Sequence, residues 1–407
     1  MDSRTYTQVK GKKTGTAAGM AAGGGDRLTI GMKRLDSLED LEEKMSPREA
    51  VDHVAKEVAL VARLSVSLWA QLGLGGRWIV AAWQLFLYAA LLMPGLIQVV
   101  FYYFFSPSVT RSIIYSKKPR NRLDLYTPSS SQDGRAWPVV VFVTGGAWTI
   151  GYKAWGALLG KRLSELGILV ACLDYRNFPQ GNALDMLEDV NTGVAWVLRH
   201  IGRHGGDPEN VYLCGQSAGG HLLALVLLAQ VQRKLAGRCR LLKGRTWDPR
   251  RTKGFIGVSG AYSLDGLREH LHRRGLCKSL FESIMSLDGK PALVELSPTY
   301  FARKLGLRLR GELPEVLLLH GKADKSVPCM SSSTFCEALN SGGVKCECRL
   351  YEGKSHTDPL VDDALRGGRD ALMEDIVEMV LKRKIQKWQA PLLPGFLVTA
   401  ASFVCPF

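Results

Sequence analysis

Hydrophobic and polar positions change their rhythm three times along the chain. Before residue 77 the apolar residues are sparse, then periodic. Ser46-Pro47-Arg48-Glu49 is a helix-start signal, with Ser as N-cap, Pro in the first turn and Glu closing a capping box. Val51, Val54, Val58, Val61 and Leu64 follow at helical spacing, so an amphipathic helix is expected over 46–77. It would pack on protein or lie on a membrane surface. Residues 1–45, rich in Gly, Ala, Lys and Thr, read as disordered.

The second regime is uniformly apolar. No charged residue stands between Arg77 and Arg111. The run from Trp78 to Phe105 exceeds the roughly 20 residues that span a bilayer as helix. Trp78, Trp83, Tyr102 and Tyr103 sit toward its ends, as an aromatic belt would. The segment 78–105 is therefore expected to be a membrane segment, either spanning or folded into a hairpin at Pro94-Gly95. It lies too far from the N-terminus for a signal peptide. Arg111, Lys117, Lys118, Arg120 and Arg122 follow it, against Arg63 and Arg77 before it, a bias that predicts a cytosolic C-terminal domain.

The third regime, 106–390, alternates strand and helix patterns. Short β-branched runs occur at Val139–Val143, Ile168–Tyr175, Val211–Gly215, Phe255–Ser259 and Val316–His320, and Cys346–Tyr351 alternates apolar with polar residues. Helical patterns lie at Trp155–Leu166, Asp185–His200, His221–Val231, Ser332–Leu339 and Ala371–Lys384. Such alternation predicts an α/β fold with a mostly parallel, doubly wound sheet. Ser112–Ser116 and Arg122–Pro128 read as a leading antiparallel hairpin. The stretch 262–313 breaks the alternation and is expected to be a small cap over the C-terminal edge of the sheet. The tail 391–407 is apolar, with prolines that argue against a clean span.

Composition is globular, with 46% apolar and 22% charged residues. The net charge of +15 is concentrated: Arg233 to Lys253 holds nine Lys/Arg and one Asp. That run reads as a solvated insertion or as a surface that meets anionic lipid or a negatively charged partner. It carries no nucleic-acid motif, and nucleic acid is not expected as a partner. Nine cysteines without a C-x-x-C pair fit a reducing compartment rather than a disulfide framework or a zinc site.

The chemistry centres on Gly215-Gln216-Ser217-Ala218-Gly219. "VYLC" before it reads as a strand and "GGHLLALVLLA" after it as a buried helix, the context of a nucleophile elbow rather than a structural glycine turn. Ser217 then needs a base and an orienting carboxylate, in the chain order Ser, Asp, His. Asp324 follows one predicted strand and His356 the next. Asp358 breaks that order. His221, on the elbow helix, suits a core or supporting role, and His320 a local hydrogen bond. Gly145, Gly146 and Ala147, after the first long strand, and Ala218 would bring backbone N–H groups to an oxyanion, with Gln216 beside them. A phosphate loop is disfavoured, because the third glycine and the Lys-Ser/Thr are missing. The chemistry calls for no metal and no organic cofactor.

Together these residues resemble the α/β-hydrolase esterases of the hormone-sensitive-lipase-like and formamidase-like branch, in which H-G-G-x-W and G-x-S-A-G-G occur together. More narrowly, "VTGGAWTIGYKAWGALLG", "LDYRNFPQG", "CGQSAGGHL", "SGAYSL", "ELSPTY" and "LHGKADKSVP", with a membrane segment in front, resemble the plant isoprenylcysteine α-carbonyl methylesterases. The resemblance covers about residues 78 to 365. It implies hydrolysis of farnesyl- or geranylgeranyl-cysteine methyl esters at the C-termini of prenylated proteins, reversing CaaX methylation, by an enzyme in contact with membrane lipid of the endoplasmic reticulum and Golgi. Thr144 departs from the pattern, standing where the family has His, and so does the uncharged C-terminus after Lys387. A membrane-anchored carboxylesterase or lipid hydrolase of other specificity, and a non-catalytic receptor on the same fold, remain as alternatives. Oligomeric state is left open.

Overall fold

The computed structural model describes residues 76–405, apart from 130–133, 275, 359, 386 and 387, together with positions 48, 52, 55, 56 and 59. The segment 1–45 and most of the helix expected over 46–77 lie outside the described residues.

An eight-stranded sheet forms the centre. The hairpin of β1 (Val109–Ile114) and β2 (Arg122–Tyr126) is antiparallel, and β2 joins β4 (Leu169–Leu173) antiparallel. From β4 onward every pairing is parallel, through β3 (Trp137–Val143), β5 (Gly206–Gln216), β6 (Thr252–Val258), β9 (Glu315–Gly321) and β10 (Cys346–Tyr351). The central strands are apolar at nearly every position because both faces are covered.

Strand β3 shows how the two faces divide. Val139, Val141 and Val143 enter a core with Leu187 and Val190 of α3 (Ala183–His200) and Leu222 and Val226 of α4 (Ala218–Ala236). Val140 and Phe142 enter a second core with α1 (Gly76–Phe105), α2 (Ala157–Glu165), α10 (Ala371–Leu381) and α11 (Gly395–Val404). Helix α3 starts in a full capping box. The Asn182 side chain accepts from Leu184 and Asp185 N–H, and the Asp185 carboxylate accepts from Asn182 N–H.

The apolar run is one continuous α-helix through Pro94, not a hairpin. It does not stand clear of the domain. Tyr88, Leu92, Val99 and Tyr103, at helical spacing, are buried in the second core. The Tyr103 hydroxyl donates to Asp124 Oδ2 (2.8 Å), and Asp124 forms a fully buried ion pair with Lys153 (2.8 Å). Arg111 Nη1 caps the helix end, donating to the carbonyls of Tyr103 and Phe104. The other side of α1 exposes Trp83, Phe86, Phe101 and Phe105. Helix α11 packs against α1 and exposes Phe396 and Phe403.

The stretch 262–313 carries α5 (Leu264–Arg273), α6 (Lys278–Ile284), the two-residue strands β7 (Ser286–Leu287) and β8 (Lys290–Pro291), and α7 (Pro298–Leu305). It meets the loop after β3 where the Phe281 ring lies edge-on to Trp148, 5.6 Å between centroids. Helix α8 (Met330–Ser341) follows β9, and helix α9 (Asp362–Arg366) follows β10. The basic run 233–253 is partly neutralised within the chain: Lys234 pairs with Asp248 and Glu312, Arg250 with Asp248, and Arg240 with Asp288.

Candidate active site

Ser217 stands between β5 and α4 with φ 53° and ψ −119°, a left-handed conformation costly for a residue with a side chain. The turn closes only because its neighbours are glycines. A Cβ at Gly219 would lie 2.0 Å from the Val143 carbonyl oxygen. Ser217 N–H donates to Val258 O (2.9 Å), pinning the elbow to β6. The N-terminus of α4 begins at the next residue, and its leading N–H groups have no partner within the helix.

Asp324 follows β9. Its Oδ1 accepts from Ser326 and Val327 N–H, both at 2.8 Å. Its Oδ2 lies between two imidazoles, 2.7 Å from His356 Nδ1 and 3.1 Å from His320 Nε2. Burial works against ionisation here, but the bonds to His320 and His356 outweigh it and hold the carboxyl well below the usual range. His320 is itself fixed by Ser332 Oγ at Nδ1 (2.7 Å) and Val327 O at Nε2 (2.9 Å). The local bond expected of His320 is thus made to the same carboxylate that orients His356. The i, i+4 spacing of His320 and Asp324 at a strand end is the one sequence signal that points to it.

His356 follows β10, with Nδ1 toward Asp324 and Nε2 left to accept. Among the described residues no hydrogen bond joins His356 to Ser217 Oγ. Instead Nε2 lies 3.3 Å from Nε2 of Gln216, and Gln216 Oε1 accepts from Gly145 N–H (3.1 Å). One side chain therefore bridges the imidazole and the glycine loop. The Gly145 N–H is engaged, while no described residue accepts from the N–H of Gly146, Ala147 or Ala218. Those three groups suit an incoming oxyanion better than Gly145 does.

The glycine loop is strained and braced. Gly146, Ala147 and Trp148 have φ of 113°, 48° and 60°. The Tyr175 hydroxyl lies 3.0 Å from Thr144 O and 3.3 Å from Gly145 O. The Thr144 side-chain hydroxyl, where the family pattern has His, has no partner among the described residues. Trp148 Nε1–H donates to His221 Nδ1 (3.2 Å), and His221 Nε2 donates to Leu296 O (2.9 Å). Burial lowers the His221 pKa to about 4, so the ring is neutral. Asp358 does not reach His356. Its Oδ2 accepts from Ser355 N–H (2.7 Å). Among the described residues no group of three or more His, Cys, Asp or Glu side chains is arranged to hold a metal ion.

Residues 123–339 match the BD-FAE family. The chain is 49% identical over 339 residues to the probable isoprenylcysteine α-carbonyl methylesterase ICME of Oryza sativa subsp. japonica, across 83% of this chain and 80% of that protein. The chain belongs to the isoprenylcysteine α-carbonyl methylesterase family. A second member, the isoprenylcysteine α-carbonyl methylesterase ICME of Arabidopsis thaliana, is 45% identical over 366 residues, 88% of this chain and 84% of its own. The crystal structure of esterase B from Lactobacillus Rhamnosis (HN001) shares the fold, with a TM-score of 0.57 at 20% identity, covering 86% of this chain and 97% of that one. This member of the methylesterase family is thus a carboxylic-ester hydrolase on an α/β-hydrolase sheet.

Proposed function

We propose that the protein hydrolyses the methyl ester of C-terminal isoprenylcysteine, with Ser217 as nucleophile, His356 as base and Asp324 as its orienter. Family membership over most of the chain supports the substrate class. The Asp324–His356 bond at 2.7 Å, beside a strained Ser217, supports the chemistry and is the observation that carries it.

The Gln216 contact yields as substrate enters, and His356 Nε2 takes the Ser217 proton as Oγ attacks the ester carbonyl. The tetrahedral oxygen accepts from Gly146, Ala147 and Ala218 N–H. The imidazolium, stabilised by ionised Asp324, gives its proton to the departing methoxide, and methanol leaves an acyl-enzyme. Water repeats the sequence, freeing the prenylcysteine carboxylate and Ser217.

A prenylated substrate partitions into lipid, so an enzyme seated on the bilayer meets it at raised local concentration. Helix α1 contains 24 residues, Ala82–Phe105, long and apolar enough to cross a membrane. Its inner face is docked on the hydrolase domain from Tyr88 to Tyr103, roughly 22 Å of axis. Crossing the bilayer in that state would draw the domain surface packed on Tyr88, Leu92 and Val99, in the middle of the helix, into hydrocarbon. We therefore place α1 in the plane of the interface, with the outward faces of α1 and α11 in lipid.

The test compares hydrolysis of S-farnesylcysteine methyl ester with that of a short p-nitrophenyl ester, in wild type and Ser217→Ala. A preference for the prenylated ester that vanishes in the variant is expected. Equal rates on both esters would turn the assignment toward a general carboxylesterase.

A further inference from the structure

The loop that presents His356 is held from outside the sheet. Ser355 N–H donates to Asp358 Oδ2 (2.7 Å), and Ser355 Oγ accepts from Asp358 N–H (3.3 Å), so the Asp358 carboxyl clamps the residue next to His356. Asp358 O accepts from Asp363 N–H (3.0 Å), which seats the start of α9 beside the loop, and Asp362, the first residue of α9, is fully buried. Burial, with the neighbouring Asp358 carboxylate, pushes the Asp362 carboxyl up to about 7, whereas Asp358 stays low.

Two side chains reach Asp362 from the apolar helices. The Tyr88 hydroxyl of α1 donates to Oδ1 at 2.6 Å, and Ser402 Oγ of α11 donates to Oδ2 at 3.3 Å. The same Tyr88 oxygen is 3.4 Å from Thr357 Oγ1, the residue after His356. Thr357 Oγ1 in turn lies 3.4 Å from Cys405 Sγ, just beyond α11. Tyr88 and Ser402 stand 274 and 40 residues from the carboxylate they reach, and neither is a triad member.

We infer that Tyr88 and Ser402 are positioning residues for catalysis, fixing the His356 loop against the elbow through Asp362 and Thr357. This rests on the assignment of His356 as the base. The hydroxyls do not touch substrate. They set where the imidazole stands, and a displacement of about 1 Å at a reacting group costs on the order of a hundredfold in rate. The helices whose outer faces are apolar thereby also hold the catalytic loop, so a shift of α1 on the domain is a shift of His356.

The experiment uses the full chain in detergent micelles and reads the rate at which a fluorophosphonate probe phosphonylates Ser217, with loss of fluoride, together with kcat and KM on S-farnesylcysteine methyl ester. Tyr88→Phe keeps the ring and removes only the hydroxyl. Gln98→Ala is the control. It breaks another tether of the same helix, the bond from Gln98 Nε2 to Leu392 O (2.7 Å), without touching the loop. The expected result is a labelling rate and kcat lower by about tenfold in Tyr88→Phe, with KM within about twofold and Gln98→Ala like wild type. Should Tyr88→Phe fail to fold, Ser402→Ala reads the same carboxylate from α11, with a smaller drop expected. A Tyr88→Phe or Ser402→Ala enzyme with wild-type kcat overturns the inference. So does an equal loss in Gln98→Ala, which would assign the effect to helix docking in general. Failure of the underlying assignment is seen separately, as undiminished probe labelling in Ser217→Ala.

Discussion

Trp148 Nε1 and His221 Nδ1, 3.2 Å apart, join the glycine loop to the elbow helix through a hydrogen bond that only a neutral imidazole can accept. The opposite ring nitrogen donates to Leu296 O, so both nitrogens are committed and the tautomer is set. The loop strain recorded at Ala147 and Trp148 is held in place by this contact.

Acid should undo it. The folded pKa of His221 is about 4, below its ordinary 6.5. Its contribution to stability is therefore complete above pH 6.5 and lost as pH falls toward 4, by about 3 kcal/mol. Asp362, raised to about 7, works in the opposite sense over the same range, so the measurement is a difference between proteins. Urea unfolding of wild type and His221→Asn at pH 6.5 and pH 4 should show the stability gap between them closing by about that amount. A gap independent of pH would show that His221 does not titrate in this way.

Asp324 serves two imidazoles, and the two should separate kinetically. Asp324→Asn is expected to lower kcat by about 10³- to 10⁴-fold with KM little changed, because the amide cannot hold the His356 tautomer. His320→Phe removes one donor from the carboxylate while leaving the His356 bond, and should cost about tenfold. Steady-state kinetics on one ester substrate compares them. A His320→Phe loss as large as that of Asp324→Asn would make His320 the orienting partner.

Gly145 sits where a side chain cannot. A Cβ there would lie 2.2 Å from Gln216 Oε1 and 2.8 Å from Ser217 Cβ. Gly145→Ala should inactivate the enzyme by more than about a hundredfold, and adding Gln216→Ala should not restore it, because the Ser217 clash persists. Gln216→Ala alone should lower kcat by about tenfold through a loosened glycine loop. Full activity in Gly145→Ala would contradict the loop geometry.

Phe396 and Phe403 are 72% and 85% exposed on α11, which packs against α1, where Trp83 and Phe86 are also exposed. If these faces enter lipid, replacing both phenylalanines with Ser should weaken sedimentation with anionic vesicles by at least about tenfold, at about 1.5–3 kcal/mol per aromatic side chain withdrawn. With α1 in the plane of the interface, an N-terminal epitope and the hydrolase domain should be cleaved by protease from the same side of a sealed vesicle. Protection of the N-terminal epitope would establish a crossing helix instead.

Much of this architecture was readable because it rests on local signals. Strand Val139–Val143 is apolar on both sides, and it is observed over Trp137–Val143 with each face in a separate core. Cys346–Tyr351 alternates, and it is the edge strand over those same residues. The elbow announced itself by small residues between a strand and a helix. The uncharged run at 78–105 was legible as a helix but not as a docked one. Its Pro94-Gly95 pair suggested a fold-back, whereas Gly95 lies inside the continuous helix, where an added Cβ would stand 3.0 Å from Leu365.

What the chain determines by itself, then, is periodicity and chemistry: which segments are strands or helices, that Ser217 lies at a tight turn, and that Asp324 and His356 follow it in an order suited to a hydrolase. The tertiary structure decides the pairings. Only there do the Tyr88 hydroxyl and Asp362, 274 residues apart, meet at 2.6 Å, or Gln216 bridge Gly145 and His356. The physical reason is that apolar burial is non-directional and leaves a local, period-bound trace in sequence. A hydrogen bond between distant side chains leaves no such trace, and its partners become identifiable only once packing has brought them within reach.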